Sequence, residues 1–557
     1  MPPLNAGLMP SKPALAIAIL AVAMQAIGLP ARSQELVTNR PISPLKEAIV
    51  ALLAMPDSLE FQVRNRIDAL KQYYSDASSS TLWDDAERAD AFLHRLRVAQ
   101  NDGLDPSDYP SDVLIASSRI NRFALSREAQ IRQRASTELY WSAIFLKYAA
   151  DLKVGRFLPS KVEPQLYWQK KSINMVAALQ LLGSLGRVDD FFNAWQPQIP
   201  EYLGLKTALA DYRSIAATGG WPEVPVGDLL KPGATNPIVP ALRKRLSITE
   251  AAPVSVAEGQ EEIYSEDLVL AVRRFQRRHG LDDDGILGKQ TYLQLNIPVA
   301  ERIQQIVMTM ERWRWMPEEL GKHYVIVNIA GYELRRVMNG KIVEKMRVVV
   351  GQPYHQTPVF SKKMKYVEIN PYWNVPYSIA TGELLPKLQS RADSLAEQGY
   401  EAVVNDKPVP LTSIDWRRYS AGNFPVQLRQ RPGSTNALGR VKFMFPNRFN
   451  VYMHDTPARS LFSQTARAFS HGCIRLARPI DMAEQILGTV PGWNRARIEK
   501  VLAEGKQTVV SLRMPIDVHI TYATAWRDSD GDVQFRSDIY HRDTRLLAAL
   551  FGKKYPY

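Results

Sequence analysis

A chain of 557 residues exceeds what one hydrophobic core usually spans, and its 45% apolar and 23% charged residues exclude a disordered or collagen-like protein. The formal charge of +13 suits a polyanionic partner; no nucleic-acid motif accompanies it, so no nucleic acid is expected, and an anionic wall or membrane surface fits better. The single cysteine, Cys473, excludes an internal disulfide.

The N-terminus carries Lys12, an apolar run over 14–29 and Pro30-Ala31-Arg32-Ser33-Gln34, the charged, apolar and small-residue regions of a secretory signal. Residues 1–33 are therefore expected to direct export and to be cleaved after Ser33. The alternative is a retained membrane anchor, but the run falls short of the ~20 residues a spanning helix needs and contains Gln25. An exported lone cysteine is either buried and inert or kept for reactivity.

From 45 to 232 the chain reads as a helical scaffold. Apolar residues recur at three- and four-residue spacing over 58–74, 83–100, 126–152 and 173–185, with breaks at Asp102-Gly103, Asp105-Pro106 and Gly219-Gly220. Tyr140, Trp141, Tyr167 and Trp168 are read as core. After Pro232-Gly233 a small helical module is expected over 236–298. Its amphipathic helix 267–279 sets Leu268, Val272 and Phe275 on one side, and a second helix covers 289–295. The Asp282-Asp283-Asp284 cluster lacks the ligand spacing of a calcium loop and reads as a solvated turn.

A connecting helix is expected over 301–315, and the period then changes to two. Strands are predicted over 324–329, 333–338, 341–350 and 364–369, with Asn339-Gly340 as a hairpin turn, opening a β-rich domain over 323–512. From 379 to 438 the strand rhythm lapses: 382–398 reads as a helix stopped by Gly399, and the remainder as loop. This stretch is read as a lid insertion, with a passive surface excursion as the alternative. Strands resume over 441–445 and 451–453, helices follow over 480–487 and 494–503, and strands over 508–512, 518–522 and 533–536. Residues 513–557 are read as a C-terminal β segment. The expected fold is thus multidomain α+β.

The chemistry concentrates where Tyr452-Met453-His454-Asp455-Thr456-Pro457 is followed by Ser470-His471-Gly472-Cys473-Ile474-Arg475. A thiol attacks a carbonyl as thiolate, so it needs a base, and the base needs a third group to fix its tautomer. Cys473 and His454 supply the first two parts. Gly472 permits a tight backbone whose N–H groups, with that of Cys473, are expected to face an oxyanion. Two other readings compete: a buried core cysteine, and a zinc site, which lacks a fourth ligand here, so no metal is expected.

These two phrases resemble the catalytic motif of the L,D-transpeptidases (YkuD-type), in the wording of their large Gram-negative, YcbB-like branch. Glu311-Arg312-Trp313-Arg314-Trp315-Met316-Pro317 and Asn370-Pro371-Tyr372-Trp373-Asn374-Val375-Pro376 are similar to further phrases of that branch, whose helical scaffold 45–232 resembles more diffusely. Ala271-Val272, Phe275-Gln276, Gly280-Leu281, Asp284-Gly285, Gly288 and Thr291 resemble the type 1 peptidoglycan-binding module, implying a three-helix wall-binding domain.

The resemblance implies a cysteine acyltransferase of the periplasm, without cofactor. Cys473 would attack the third residue of a donor tetrapeptide stem, release D-alanine and leave a thioester. The diaminopimelate amine of an acceptor stem would resolve it into a 3-3 cross-link. His454 would move the protons, oriented by the backbone carbonyl of Asp455, and His471 would shape the oxyanion pocket. Tyr452, Ser470, Arg475 and Trp373 would contact substrate; a structural salt bridge is the alternative for Arg475, and core packing for Trp373. Carbapenems would acylate Cys473, and membrane or wall-synthesis partners would be transient. Resolution by water would make the same site an L,D-carboxypeptidase or endopeptidase, and an idle cysteine would leave a wall-binding scaffold.

Overall fold

The computed structural model describes residues 43–118, 125–169, 171–250, 252 and 255–552. The expected signal, 1–33, lies outside the described residues.

Helices Pro44–Leu53, Phe61–Arg64, Ile67–Ser75, Ala86–Arg97, Arg127–Val154, Met175–Leu185 and Val188–Trp195 turn their apolar faces onto one core, which includes Phe92, Leu139, Phe145 and Phe191. The single helix expected over 58–74 is two. Arg66 leaves helical geometry (φ −127°, ψ 14°) and its guanidinium bonds back to the Gln62 carbonyl at 3.1 Å. The segment 45–232 also does not share one core. Helix Pro200–Ala217 sends Tyr202, Leu205, Leu209 and Tyr212 into the core of the β domain instead, against helix Val299–Trp315.

Val239–Thr249, Glu266–Arg278 and Lys289–Leu295 form a three-helix module around Leu242, Leu268 and Phe275. Its motif residues are internal staples. The buried Gln276 amide donates to Asp284 Oδ1 (3.1 Å) and the Ile286 carbonyl (2.9 Å), and its oxygen accepts from the Gly285 N–H (2.9 Å). Arg278 Nε donates to the Val533 carbonyl at 3.0 Å, which seats the module on the C-terminal hairpin. The connecting helix Val299–Trp315 is an ionic clamp. Arg312 is buried between Glu163 and Asp543, and Arg314 donates to Glu311 (2.8 Å) and the Tyr202 hydroxyl (3.2 Å).

The β domain is built from β1 (His323–Asn328), β2 (Glu333–Met338), β3 (Lys341–Gly351), β4 (Phe360–Ile369), β5 (Trp373–Asn374), β6 (Tyr400–Val404), β7 (Lys407–Val409), β8 (Gln427–Gln430), β9 (Val441–Met444), β10 (Met453–His454), β11 (Ala468–Ser470), β12 (Ile474–Leu476), β13 (Thr508–Thr521), β14 (Ala525–Arg527) and β15 (Val533–Phe535). The main sheet runs β11-β3-β12-β10-β9-β4-β13-β1-β2. The first half of β3 pairs with β2 and its second half with β12, which closes the circuit of strands. Asn339 (φ 49°) and Gly340 (φ 75°) make the β2–β3 turn, as their residue types require.

Three expectations on this domain need correction. The strands expected over 508–512 and 518–522 are one, β13, whose register shifts between Ser511 and Ile516 around Pro515; a boundary at 512 would cut it. The insertion is more than helix and loop. After a π-helical turn at Ala380–Leu384 and helix Leu385–Glu397, β6, β7 and β8 join β5 in a second sheet over a separate core of Leu385, Leu388, Ala402, Trp416 and Leu428. The C-terminal segment holds the β14–β15 hairpin but ends in helix Arg542–Phe551, whose Leu546 and Leu550 complete the main core.

Candidate active site

Three neighbouring strands set one face of the main sheet. His454 of β10 is opposite Lys442 of β9 and Arg475 of β12, while Met453 is opposite Phe443 and Ile474, which point into the core. Side chains alternate along a strand, so Tyr452, His454, Lys442, Cys473 and Arg475 share the other face. The Ile474 N–H donates to the Tyr452 carbonyl at 3.1 Å, which locks Cys473 beside Tyr452.

His454 is buried, 4% exposed. Its Nδ1 lies 2.5 Å from the Asp455 carbonyl oxygen, so that nitrogen carries the proton and Nε2 keeps its lone pair. Burial and the nearby Arg475 charge push its pKa down to about 3, and Lys442 pushes the same way, so the ring is a neutral base. The Asp455 carboxylate is structural: it accepts from the Arg440 N–H (2.8 Å) and the Thr456 N–H (2.6 Å) and pairs with Arg459. Gly439 is obligatory beside it, since φ is +61° and a Cβ would lie 2.3 Å from the Asp455 carboxyl carbon.

Cys473 is half-buried, with its sulfur 3.7 Å from the Asn450 carbonyl. Burial raises the thiol pKa; the Tyr452 N–H and hydroxyl and the Lys442 and Arg475 charges oppose that rise without cancelling it. At rest the site therefore holds a neutral thiol and a neutral imidazole. The Tyr452 ring stacks edge-on to His454 at 5.6 Å, and Lys442 lies 4.5 Å from its centroid on the way to Glu368.

The Gly472 turn differs from the expected oxyanion cradle. Gly472 has φ +110°, but its N–H donates to Ser470 Oγ at 3.1 Å, and Ser470 Oγ donates to the Cys473 carbonyl at 2.5 Å. Ser470 is thus a buried staple rather than a substrate contact, and Gly472 has no N–H to offer. The Cys473 N–H has no hydrogen-bond partner among the described residues and is the remaining backbone donor. Thr357 Oγ1 holds the Gly472 carbonyl at 2.9 Å from behind.

His471 is exposed; its Nε2 lies 2.7 Å from Glu383 of the insertion, and its ring stacks on His355 at 4.8 Å. Arg475 is half-buried, makes no ion pair among the described residues, and keeps Nε without a partner, so the salt-bridge reading does not hold. Trp373 lies on β5 at the root of the insertion, packed against the insertion's core, and its side chain reaches the Tyr452 hydroxyl. Among the described residues, no group of three or more His, Cys, Asp or Glu side chains could hold a metal ion.

Sequence reasoning passed over Lys442, Asn450 and Glu383. Asn450 carries the one readable signal, an Asn suited to its left-handed φ of 53°. Lys442 and Glu383 join the site only through strand pairing and insertion packing.

Residues 322–510 match the family model of the L,D-transpeptidase catalytic domain, 68–209 that of a scaffold domain, and 235–295 that of a "Putative peptidoglycan binding domain". A curated relative from Haemophilus influenzae, described as a "Putative L,D-transpeptidase", is 34% identical over 247 residues, 44% of this chain. The match spans about half, 49%, of that relative's length. Among solved structures, an L,D-transpeptidase from Xylanimonas cellulosilytica aligns over 53% of this chain and 99% of its own, at 16% identity and a TM-score of 0.17. A fused Zn-dependent amidase/peptidase/peptidoglycan-binding domain-containing protein from Clostridium acetobutylicum aligns over 53% and 100%, at 11% identity and a TM-score of 0.15.

Proposed function

We propose that this chain, which carries an L,D-transpeptidase catalytic domain over residues 322–510, forms 3-3 cross-links between peptidoglycan stems in the periplasm. The observation that carries the reading is the 2.5 Å contact from His454 Nδ1 to the Asp455 carbonyl, which leaves the Nε2 lone pair free on the face that holds Cys473.

Both groups are neutral at rest, so the thiol proton moves to His454 Nε2 as Sγ attacks the carbonyl carbon of the third stem residue. The tetrahedral oxygen takes the Cys473 N–H, in the positive field of Arg475 and Lys442. The C–N bond to D-alanine then breaks as His454 returns the proton to the leaving amine, and a thioester remains. The side-chain amine of diaminopimelate on a second stem attacks that thioester. It gives its proton to His454, the C–S bond breaks, and the thiol is restored. Arg475, unpaired among the described residues, suits a stem carboxylate, and Tyr452 and Trp373 wall the donor stem.

The test is incubation of the chain with purified disaccharide-tetrapeptide beside Cys473→Ala, with products followed by mass spectrometry. A 3-3 dimer with loss of D-alanine, reduced to background in the variant, is expected, as is a covalent carbapenem adduct on Cys473. Tripeptide alone would make the enzyme a hydrolase. Retained wall binding with an unreactive Cys473 would leave only the scaffold role.

A further inference from the structure

A cleft of about 1150 Å³ lies between the helical region and the β domain, and the catalytic steps above make no use of it. One wall is tied to the start of β4: the Val359 N–H donates to the Gln165 carbonyl (3.0 Å) and the Tyr167 N–H to the Val359 carbonyl (2.8 Å), so Leu166 forms a single parallel bridge to Val359, the residue before β4. The other wall is the loop that leads to the active site. Asn447 staples this loop, donating to the carbonyls of Phe445 and Val451 at 2.7 Å each, and three residues on, the Asn450 carbonyl faces Cys473 Sγ.

Aromatic faces line both walls. The Tyr167 and Phe449 rings lie 4.4 Å apart, and Phe449 meets Phe360 at 5.1 Å. The Trp168 indole N–H is buried without a hydrogen-bond partner. Positive charge is interleaved with these rings. Arg448 lies 4.7 Å from the Tyr167 centroid and 4.9 Å from that of Phe449. Lys171 donates to the Met316 carbonyl at 2.7 Å, and Lys362 lies on the rim. These three cations form no ion pair among the described residues, and the only carboxylate lining the cleft, Glu318, is paired with Lys153. Flat aromatic surface suits the C–H faces of sugar rings, and the N–H donors of Trp168, Lys362 and Arg448 beside it suit their hydroxyl and N-acetyl oxygens.

We infer that this cleft is a second substrate subsite, which binds the glycan strand of peptidoglycan while the attached stem reaches Cys473. The inference rests on the proposed wall substrate and adds where its sugar lies. The loop 447–450 gives a direct path from the cleft to the nucleophile, so glycan seated there positions the stem.

The test compares two donors, disaccharide-tetrapeptide and the free tetrapeptide, on the full chain and on Trp168→Ala and Lys362→Glu. Acylation of Cys473 is read by intact mass, and binding to the inactive Cys473→Ala chain by equilibrium dialysis. Each cleft substitution is expected to weaken binding and raise KM for the glycan-bearing donor about fivefold, the loss of one stacking or hydrogen-bonding contact, at unchanged kcat. The free tetrapeptide should react with all three chains alike. Equal KM values for the glycan donor in all three chains would overturn the subsite, as would equal losses on both donors. If dialysis shows cleft-dependent glycan binding while Cys473 is never acylated, the subsite stands and the catalytic reading falls.

Discussion

The barrel around Cys473 and the insertion that reaches it hold their residues by different means. β10 has only Met453 and His454 and β12 only Ile474 to Leu476, yet both are fixed because β9 and β3 flank them and Met453 and Ile474 are sealed in the main core. The insertion instead closes on its own small core of Leu385, Leu388, Ala402 and Leu428, and touches the site through Trp373 at its root and Glu383 at its π-helical turn. Proton transfer needs sub-ångström placement, which the first supplies, while the second meets the site only at its edges.

The comparison breaks most sharply at His454. His454→Ala should slow acylation of Cys473 by about 10²–10⁴-fold, the usual contribution of a positioned base. In the unaltered chain, a pKa lowered from 6.5 to about 3 keeps the ring neutral across mildly acidic pH, so acylation should show no step near 6.5. A fall in rate centred there would mean that the ring is hydrated in the working enzyme.

A middle-sized effect tests whether the insertion folds by itself. Leu388, 3% exposed, belongs to the insertion's core alone, so Leu388→Ala should cost about 2–5 kcal/mol locally. Hydrogen exchange should speed up across 377–430 while β1 and β13 keep their protection. Loss of protection in both would show one cooperative unit.

The smallest effect concerns the Glu383–His471 contact. The two side chains are 38% and 48% exposed, so Glu383→Gln should change KM by less than about fivefold, in line with at most ~1 kcal/mol for such a pair. A larger rise in KM would show that the contact carries more than an exposed pair can.

Much of the site is local in sequence and was readable there. His454 and the Asp455 carbonyl are adjacent residues, so their contact is set by one peptide unit. The β2–β3 turn was legible because Asn339-Gly340 tolerates left-handed φ. The two strands read over 508–512 and 518–522 are one for a physical reason: Pro515 lacks an N–H, and the irregularity around it is absorbed as a register shift inside β13. The insertion's sheet was hidden because β6 and β8 are short and pair across 22 intervening residues. Gly472 reads as a free donor because a free N–H and an engaged one look alike until the turn is folded, and the same turn takes up the Ser470 hydroxyl expected as a substrate contact.

The sequence by itself determined which groups can react: a lone thiol, a histidine with a carbonyl beside it, and an arginine two residues beyond the cysteine. Only the tertiary structure decided their state. The Lys442 and Arg475 charges, the burial that keeps thiol and imidazole neutral, and the aromatic and cationic cleft beside the Asn450 loop all come from segments distant in the chain, and electrostatics acts through space rather than along the backbone.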